Sequence, residues 1–498
     1  MPRAAAIALA IVVVSVFLSP LQRELYVGDE TKYTEVVREM RAGSFFLPTL
    51  NGTPFTHKPP LHFWLVDLLT YPFGVYSIWP FVLPSLAAFV LLLWLMHRMA
   101  GPLAAFVCGT SLMLWGSAQT ARMDVSFTAL LALAAWMVER FFAGERRALL
   151  IAAIATGLAF LVKGPMAPVI VIALFAFEAL RRRGAPRGNY ALAVAIILVI
   201  PLLWLVPAVM IGGEPFWREI FYKQTVGRAV GAWVHRSPPW FYIVRAPATL
   251  APWFFLLIAS IVAIYKRRDE RGKFAVSWIL AVLVPYTVLS SKLDVYMIAM
   301  LPAVALAIAR GAEELWGKRA NLVMLGVFAL AGIAGFVVHG KGPDGALLAL
   351  PRVRVLFALL VLLSFAAIVV TLRSTLTMST FATGLVPVLA FAYAAVALTP
   401  LANDLASTRP LVNALLRAHV APEDAALYVC PHLWVRDMPP ALARARQVDT
   451  DDLRALHPPP RLIVARRKDA DAIADVLRGY HKVDELRMIG KWFDVYER

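Results

Sequence analysis

Long apolar blocks separated by short polar breaks dominate this chain. Ala4–Leu18, Phe81–Met96, Ala191–Ile211 and Leu356–Leu372 are almost uninterrupted runs of apolar side chains. Each reaches or approaches the ~20 residues with which a helix crosses a bilayer. The same segmentation carried along the chain predicts about thirteen membrane-spanning helices. They begin near Ala4, Ser77, Pro102, Met123, Ala148, Pro165, Tyr190, Phe241, Phe274, Val295, Asn321, Val353 and Phe381. The first is expected to be retained, because Ser19-Pro20-Leu21-Gln22 makes a poor small-residue cleavage site.

The first interval between spans has another pattern. Within residues 21–76, Tyr33, Val36, Val37 and Met40 recur at helical spacing, while Lys32, Glu35, Arg38 and Glu39 fall elsewhere around the helix. This predicts a helix lying in the membrane interface, with Asp29 and Glu30 at its start. After Pro400 the apolar density drops. Strand-like runs at Ala426–Cys430, Arg461–Ala465 and Lys491–Tyr496 accompany a helix-like stretch, Asp469–Tyr480, with Ile473, Val476 and Leu477 on one face. The expected fold is an all-α polytopic membrane domain over residues 1–400, including outer loops 21–76 and 212–240. A small soluble α/β domain outside the membrane is expected over residues 401–498. No internal repeat is evident, which disfavours duplicated transporter folds.

Composition excludes a soluble protein of this size. Of 498 residues, 60% are hydrophobic and 16% charged, against roughly 45–50% and about 25% in ordinary globular chains. The balance of 49 basic to 32 acidic residues gives a net charge of +17. Much of that excess sits in short loops: Arg140/Arg146/Arg147, Arg181–Arg183 with Arg187, Lys266–Arg268 with Arg271 and Lys273, and Arg310/Lys318/Arg319. There it reads as an orientation signal rather than a nucleic-acid surface, and no nucleic-acid partner is expected. These loops are then cytoplasmic, the N-terminus lies inside and the C-terminal domain outside, as in a multi-pass protein of a bacterial inner membrane. Cys108 and Cys430 form neither a metal-ligand spacing nor a disulfide framework.

The opposite loops carry isolated ionisable groups, which are costly at membrane depth unless they have a task. Taken singly, Asp29 is a helix cap, Asp124 is the polar end of a helix with Arg122 as a solvated neighbour, and Lys163 and Lys292 snorkel to the interface. Taken together, two carboxylates (Asp29, Asp124) and three lysines (Lys58, Lys163, Lys292) suit the removal of a group from a phosphate. A carboxylate accepts the proton of an attacking hydroxyl, and lysines hold and stabilise the departing phosphate. Nearby aromatic residues such as Tyr33 and Tyr296 suit sugar faces or lipid chains. His57 and His235, one in each long outer loop, could ligate Zn²⁺ or a similar divalent ion together with Asp29 or Glu30.

Asp29-Glu30-x-x-Tyr33, Leu50-Asn51-Gly52 and His57-Lys58-Pro59-Pro60-Leu61-x-x-Trp64 resemble the first periplasmic loop of the aminoarabinose lipid A transferases. Those enzymes group with the protein O-mannosyltransferases among GT-C membrane glycosyltransferases. The resemblance continues through Ala121-Arg122-Met123-Asp124, Lys163-Gly164-Pro165, Pro239-Trp240-Phe241-Tyr242, Pro252-Trp253 and Ser291-Lys292-Leu293-x-x-Tyr296. It implies an inverting glycosyltransferase that takes a sugar from a polyprenyl-phosphate donor, without a nucleotide. The acceptor would be a lipid A-like glycolipid, a glycan or a protein, and membrane lipids surround the site. Asp29 maps to the family's first-loop acid and Asp124 to its second. Lys58 maps to the phosphate-binding lysine, with Lys163 and Lys292 as further basic groups. Glu30, Lys32, Tyr33 and Tyr296 complete the expected substrate-binding set. One departure is His57, where the aminoarabinose transferases usually carry a metal-binding Glu. A transporter or flippase for an anionic lipid-linked substrate is the alternative, and it would place charges deep within broken, paired helices.

Overall fold

The structure, a computed structural model, describes residues 2–50, 52–75, 77–226, 237–337, 347–428, 446–488 and 490–498. Helices follow the apolar blocks. The first half comprises α1 (Pro2–Leu18), α2 (Asp29–Arg41), α3 (Leu61–Phe73), α4 (Trp79–Gly109), α5 (Leu112–Ala118), α6 (Asp124–Phe142), α7 (Ala148–Lys163), α8 (Met166–Arg181) and α9 (Tyr190–Arg218). Among the described residues, seven helices are long and apolar enough to cross a membrane, or eight when one sharply bent pair counts as a single span. Arg3–Leu18 and Ala148–Lys163 are shorter apolar helices. The chain is a multi-pass membrane protein.

Helical geometry is interrupted at three places. Helix α4 leaves helical geometry at Ala100 and Gly101, the latter at φ +82°, just ahead of Pro102. Proline lacks the N–H that would continue the ladder and glycine accepts the left-handed turn, so this break divides the second expected span from the third at Pro102, where the sequence places it; the third is short, ending at Gly109 before the separate α5. Phe241–Thr249 and Phe254–Arg267 meet at 108° around Leu250–Trp253, which contains Pro252. The segment expected to begin near Val295 opens as a 3₁₀ turn, Asp294–Met300, before the α-helix Leu301–Gly311.

In the first loop, Tyr33, Val36, Val37 and Met40 are all buried, as the periodicity of α2 requires. The opposite face is less open than an interfacial helix would be. Glu35 is also buried and pairs with Arg38 at 2.7 Å. Tyr33 packs edge-on against Phe63 of α3 at 5.6 Å, and Phe63 meets Phe55 at 5.8 Å. The loop is also pinned to its surroundings by indole N–H groups: Trp64 donates to the Phe45 carbonyl and Trp204 of α9 to the Phe46 carbonyl.

The C-terminal region contains a five-stranded mixed sheet. After the small hairpin of β1 (Thr49–Leu50) and β2 (Thr53–Pro54), its strands are β3 (Ala425–Tyr428), β4 (Arg446–Val448), β5 (Leu462–Arg466), β6 (His481–Met488) and β7 (Lys491–Glu497), in the spatial order β4-β3-β5-β7-β6. Strand β3 runs parallel to β4 and β5, whereas β7 runs antiparallel to β5 and β6. Alternation along β3 and β5 sends Leu427, Leu462 and Val464 to one face, against Leu411 and Leu415 of the helix Arg409–Arg417. It sends Ala426, Ile463 and Ala465 to the other face, with Leu453 and Ile473. The expected helix over Asp469–Tyr480 is instead a 3₁₀ stretch, Arg467–Ile473, and one short α-turn, Ala474–Leu477. Strands β4 and β6 are not evident from the sequence pattern.

Candidate active site

Two acids begin helices at the same end of the molecule. Asp29 is the first residue of α2 and Asp124 the first of α6, so each carboxylate sits at the positive end of a helix dipole. Lys163 closes α7, where the negative end favours a cation. Gly164 at φ +90° turns the chain directly after it, and α8 starts at Met166. Gly28 at φ +130° makes the corresponding turn before Asp29, and its N–H donates to the Thr31 hydroxyl at 3.2 Å.

These ends converge. Arg122 lies between the acids, with its guanidinium 3.3 Å from Asp29 and 3.2 Å from Asp124. Lys163 forms an ion pair with the other oxygen of Asp124, and Lys32 pairs with Asp29 at 2.7 Å. Lys58 lies close enough to act electrostatically on both carboxylates. The Lys163 ammonium also stands over the rings of Phe127 and Tyr296, at 5.5 and 5.1 Å. Tyr296 is in turn stacked on Tyr286 at 4.8 Å. Four cations thus surround two carboxylates, an excess of positive charge that suits a phosphate.

The two acids differ in access. The Asp29 side chain is 35% exposed, and that of Asp124 only 5%. Burial works to raise the Asp29 carboxyl, but Lys32, Arg122 and Lys58 outweigh it and hold it below the ordinary aspartate value. Asp29 is therefore ionised and partly open to solvent, with Lys32 on one oxygen and Arg122 on the other. Asp124 has both oxygens occupied and serves as the post to which Arg122 and Lys163 are tied. Burial pushes the Tyr33 phenol well above its ordinary value, so it stays protonated beneath Lys32.

Other expected site residues are placed differently. Glu30 is directed into the protein: it accepts from Arg23 at 3.0 and 2.5 Å, from the Tyr26 N–H at 2.7 Å and from the Ala121 N–H at 2.8 Å. Arg23 also donates to the Gln119 carbonyl at 2.6 Å, so this buried pair joins the first loop to the turn that carries Arg122 and Asp124. Lys292 is buried and donates to the Leu289 and Ser237 carbonyls at 2.5 and 3.2 Å, with no carboxylate partner among the described residues. His57 is exposed, its ring 5.1 Å from that of Phe55. His235 lies outside the described residues. Among the described residues, no three His, Cys, Asp or Glu side chains gather as a metal site. These residues alone do not make a divalent-ion site.

Two residues beyond the expected set matter here. Arg122 bridges both acids rather than standing in solvent, and its place in Ala121-Arg122-Met123-Asp124 is the available signal. Arg23 gives none, because it meets Glu30 only through the turn that precedes α2 and its other partner, Gln119, is a distant backbone carbonyl.

Residues 57–205 match the family described as dolichyl-phosphate-mannose-protein mannosyltransferase. An undecaprenyl phosphate-α-4-amino-4-deoxy-L-arabinose arabinosyl transferase of Serratia proteamaculans is 29% identical over 368 residues, 68% of this chain and 65% of that protein. Its namesake in Pseudomonas paraeruginosa is 27% identical, over 63% of this chain and 62% of that protein. The matched part thus spans a little under two thirds of the length of these relatives. The crystal structure of ArnT from Cupriavidus metallidurans bound to undecaprenyl phosphate superposes with a TM-score of 0.79 at 19% identity, over 99% of this chain and 97% of that one. Its apo form gives a TM-score of 0.74 at 18% identity, with the same coverage. Family match, sequence relatives and whole-chain fold agree: the chain is similar to the aminoarabinose transferases and the protein mannosyltransferases, and it shares the GT-C fold of the former.

Proposed function

We propose that this chain is an inverting glycosyltransferase that moves a sugar from a polyprenyl-phosphate donor to a hydroxyl or phosphate acceptor at the periplasmic face of a bacterial inner membrane. The acceptor is a lipid A-like glycolipid, a glycan or a protein. The observation that carries this reading is the Asp29–Arg122–Asp124–Lys163 chain of ion pairs, with one partly exposed carboxylate inside a cationic surround. The sequence relatives named above, which are arabinosyl transferases acting with undecaprenyl phosphate, support the donor class.

The proposed step is a single displacement. The acceptor oxygen attacks the anomeric carbon from the face opposite the lipid phosphate. The carbon–oxygen bond to that phosphate breaks and its electron pair leaves with the polyprenyl phosphate, inverting the anomeric centre. Asp29 orients an acceptor hydroxyl and takes up its proton as attack proceeds; a phosphate acceptor attacks already ionised. Lys58, with the Lys163–Arg122 pair, receives the charge that develops on the departing phosphate, and Lys292, held by the Leu289 and Ser237 carbonyls, adds its positive charge to the site. Lys32, Tyr33 and Tyr296 line the approach, and Glu30 holds the loop.

The finer topology belongs to the same reading. It has thirteen crossings with the N-terminus in the cytoplasm, residues 1–400 as the membrane unit and 401–498 as the periplasmic one. A divalent ion would take His57 and His235 together with Asp29 or Glu30 as donors, and metal analysis of the purified chain decides whether one is held.

The test uses the purified full chain in lipid with a labelled polyprenyl-phosphate sugar and an envelope glycolipid extract. Acceptor-dependent release of free polyprenyl phosphate is expected, together with an inverted anomeric configuration in the product. Movement of intact donor across the bilayer without cleavage overturns the proposal in favour of a flippase.

A further inference from the structure

Residues 22–27, in the segment that leads from α1 to Asp29, are held from two sides. On the inner side, Arg23 and the Tyr26 N–H are tied to Glu30. On the outer side the partners lie almost four hundred residues away. Asn403 offers both halves of its amide: the Oδ1 accepts from the Glu24 N–H at 3.0 Å and the Nδ2 donates to the Gln22 carbonyl at 2.9 Å. The Glu24 carboxylate accepts from the Ser407 hydroxyl at 2.5 Å and from Arg409 Nε and Nη2 at 2.9 and 2.6 Å. The Val27 N–H donates to the Ala406 carbonyl at 2.8 Å, and the Val27 side chain packs against the sheet cluster that includes Leu411 and Leu427.

Asn403 and Ser407 are buried, so these contacts lie inside the structure. Asn403 pairs with backbone on both sides of Arg23, as a neighbouring strand would, and this fixes the path of the chain as well as its position. Arg409 begins the helix whose Leu411 and Leu415 rest on the sheet, so the whole C-terminal unit stands behind the latch. Two residues after Val27 the chain reaches Asp29, through a glycine whose conformation few other residues share.

We infer that the C-terminal sheet domain serves as a positioning element for the transfer reaction. Through Asn403, Ser407 and Arg409 it clamps residues 22–27 and so sets the place of Asp29. This rests on the reading of Asp29 as the group that meets the acceptor. Arg409 and Asn403 touch no reacting atom in this scheme and act through the segment they hold. Small displacements of a reacting group are expensive, so release of the clamp reduces turnover more than donor binding.

The test uses the full chain in lipid nanodiscs, with hydrogen–deuterium exchange and transfer kinetics measured on the same samples. In Arg409→Ala and Asn403→Ala, amides of residues 24–31 are expected to exchange several-fold faster, while those of β5 stay protected and show that the sheet is intact. The kcat is expected to fall about tenfold, with the donor KM changed by less than about twofold, and Arg409→Lys is expected to retain most activity. Wild-type exchange at residues 24–31 in both alanine variants, or faster exchange with unchanged kcat, overturns the inference. Should one variant lose protection in β5 as well, the other decides. Full activity of Asp29→Asn would instead remove the reading of Asp29, and the exchange data would still report whether the clamp exists.

Discussion

Adjacent acids in this protein have opposite tasks, and mutation separates them. Asp29→Asn keeps the size of the side chain and removes the charge that orients the acceptor. Its transfer rate is expected to fall by about 10²–10⁴-fold while thermal stability stays near that of the wild type. Glu30→Gln should do the reverse in emphasis. It leaves Arg23 buried against a neutral partner, a loss of about 3–5 kcal/mol that thermal unfolding in detergent will show. Equal stability of the two variants would mean that Glu30 is not the post of the loop. The Asp29 carboxyl is held below its ordinary 3.8 by Lys32, Arg122 and Lys58 against the opposing effect of burial. A depressed acid is fully ionised above that range, so Asp29 contributes no acid limb to kcat near neutrality; the loss appears only as pH falls below the ordinary aspartate value. Much at this scale is legible in the sequence: Asp29, Asp124, Lys58 and Lys163 stand out as isolated charges among apolar blocks. The bridging of Arg122 and the inward turn of Glu30 are not, because both depend on partners brought together only by folding.

The helix ends carry the geometry at the next scale, and Gly28 shows how. At φ +130° it occupies a region open essentially to glycine, although an added methyl group would meet no neighbouring atom within 4 Å. Gly28→Ala is therefore resisted by its own backbone, costing about 1–3 kcal/mol or shifting Asp29 to relieve it. Either outcome lowers turnover with little change in donor binding, and wild-type kinetics in that variant would show that this turn does not aim the acid. Helix α3 makes a second test. Burial drives its His62 down to about 4, with Asp124 acting weakly the other way. The folded protein thus holds a neutral imidazole while the unfolded chain takes a proton as pH falls through the ordinary 6.5. Stability is complete above 6.5 and declines toward pH 4 by roughly 3 kcal/mol from this group. Melting temperatures across that range should fall less steeply in His62→Leu; parallel curves would remove His62 as the cause. Periodicity makes α2 readable. The break at Ala100–Gly101 is marked by Gly101-Pro102, where a new span is expected, but the bend at Leu250–Trp253 is not shown, since apolar composition continues across it.

At the scale of the whole molecule, helix direction separates two ends. Helix α6 starts at Asp124 and descends to Arg140; α7 returns to Lys163; α8 leaves again toward Arg181. The arginine-bearing turns thus lie opposite the acid-and-lysine cluster, and Arg181 and Arg182 both pair with Glu178 there. The C-terminal sheet is fastened to residues 22–27 and so shares the end that holds Asp29. In the proposed topology the short basic turns lie in the cytoplasm, with both the cluster and the sheet on the periplasmic side. Single cysteines introduced at Glu145, in the turn after α6, and at Val483, in the exposed part of β6, test this directly. In a Cys430→Ser background, with Cys108 buried, a membrane-impermeant maleimide added to intact spheroplasts should label the Val483→Cys chain and spare Glu145→Cys. Disruption of the membrane should then make Glu145→Cys reactive. The reverse pattern would place the cluster in the cytoplasm and invert the topology. It would also leave the positive turns outside, against the bias that orients membrane chains, and the proposed periplasmic acceptor would have no route to Asp29.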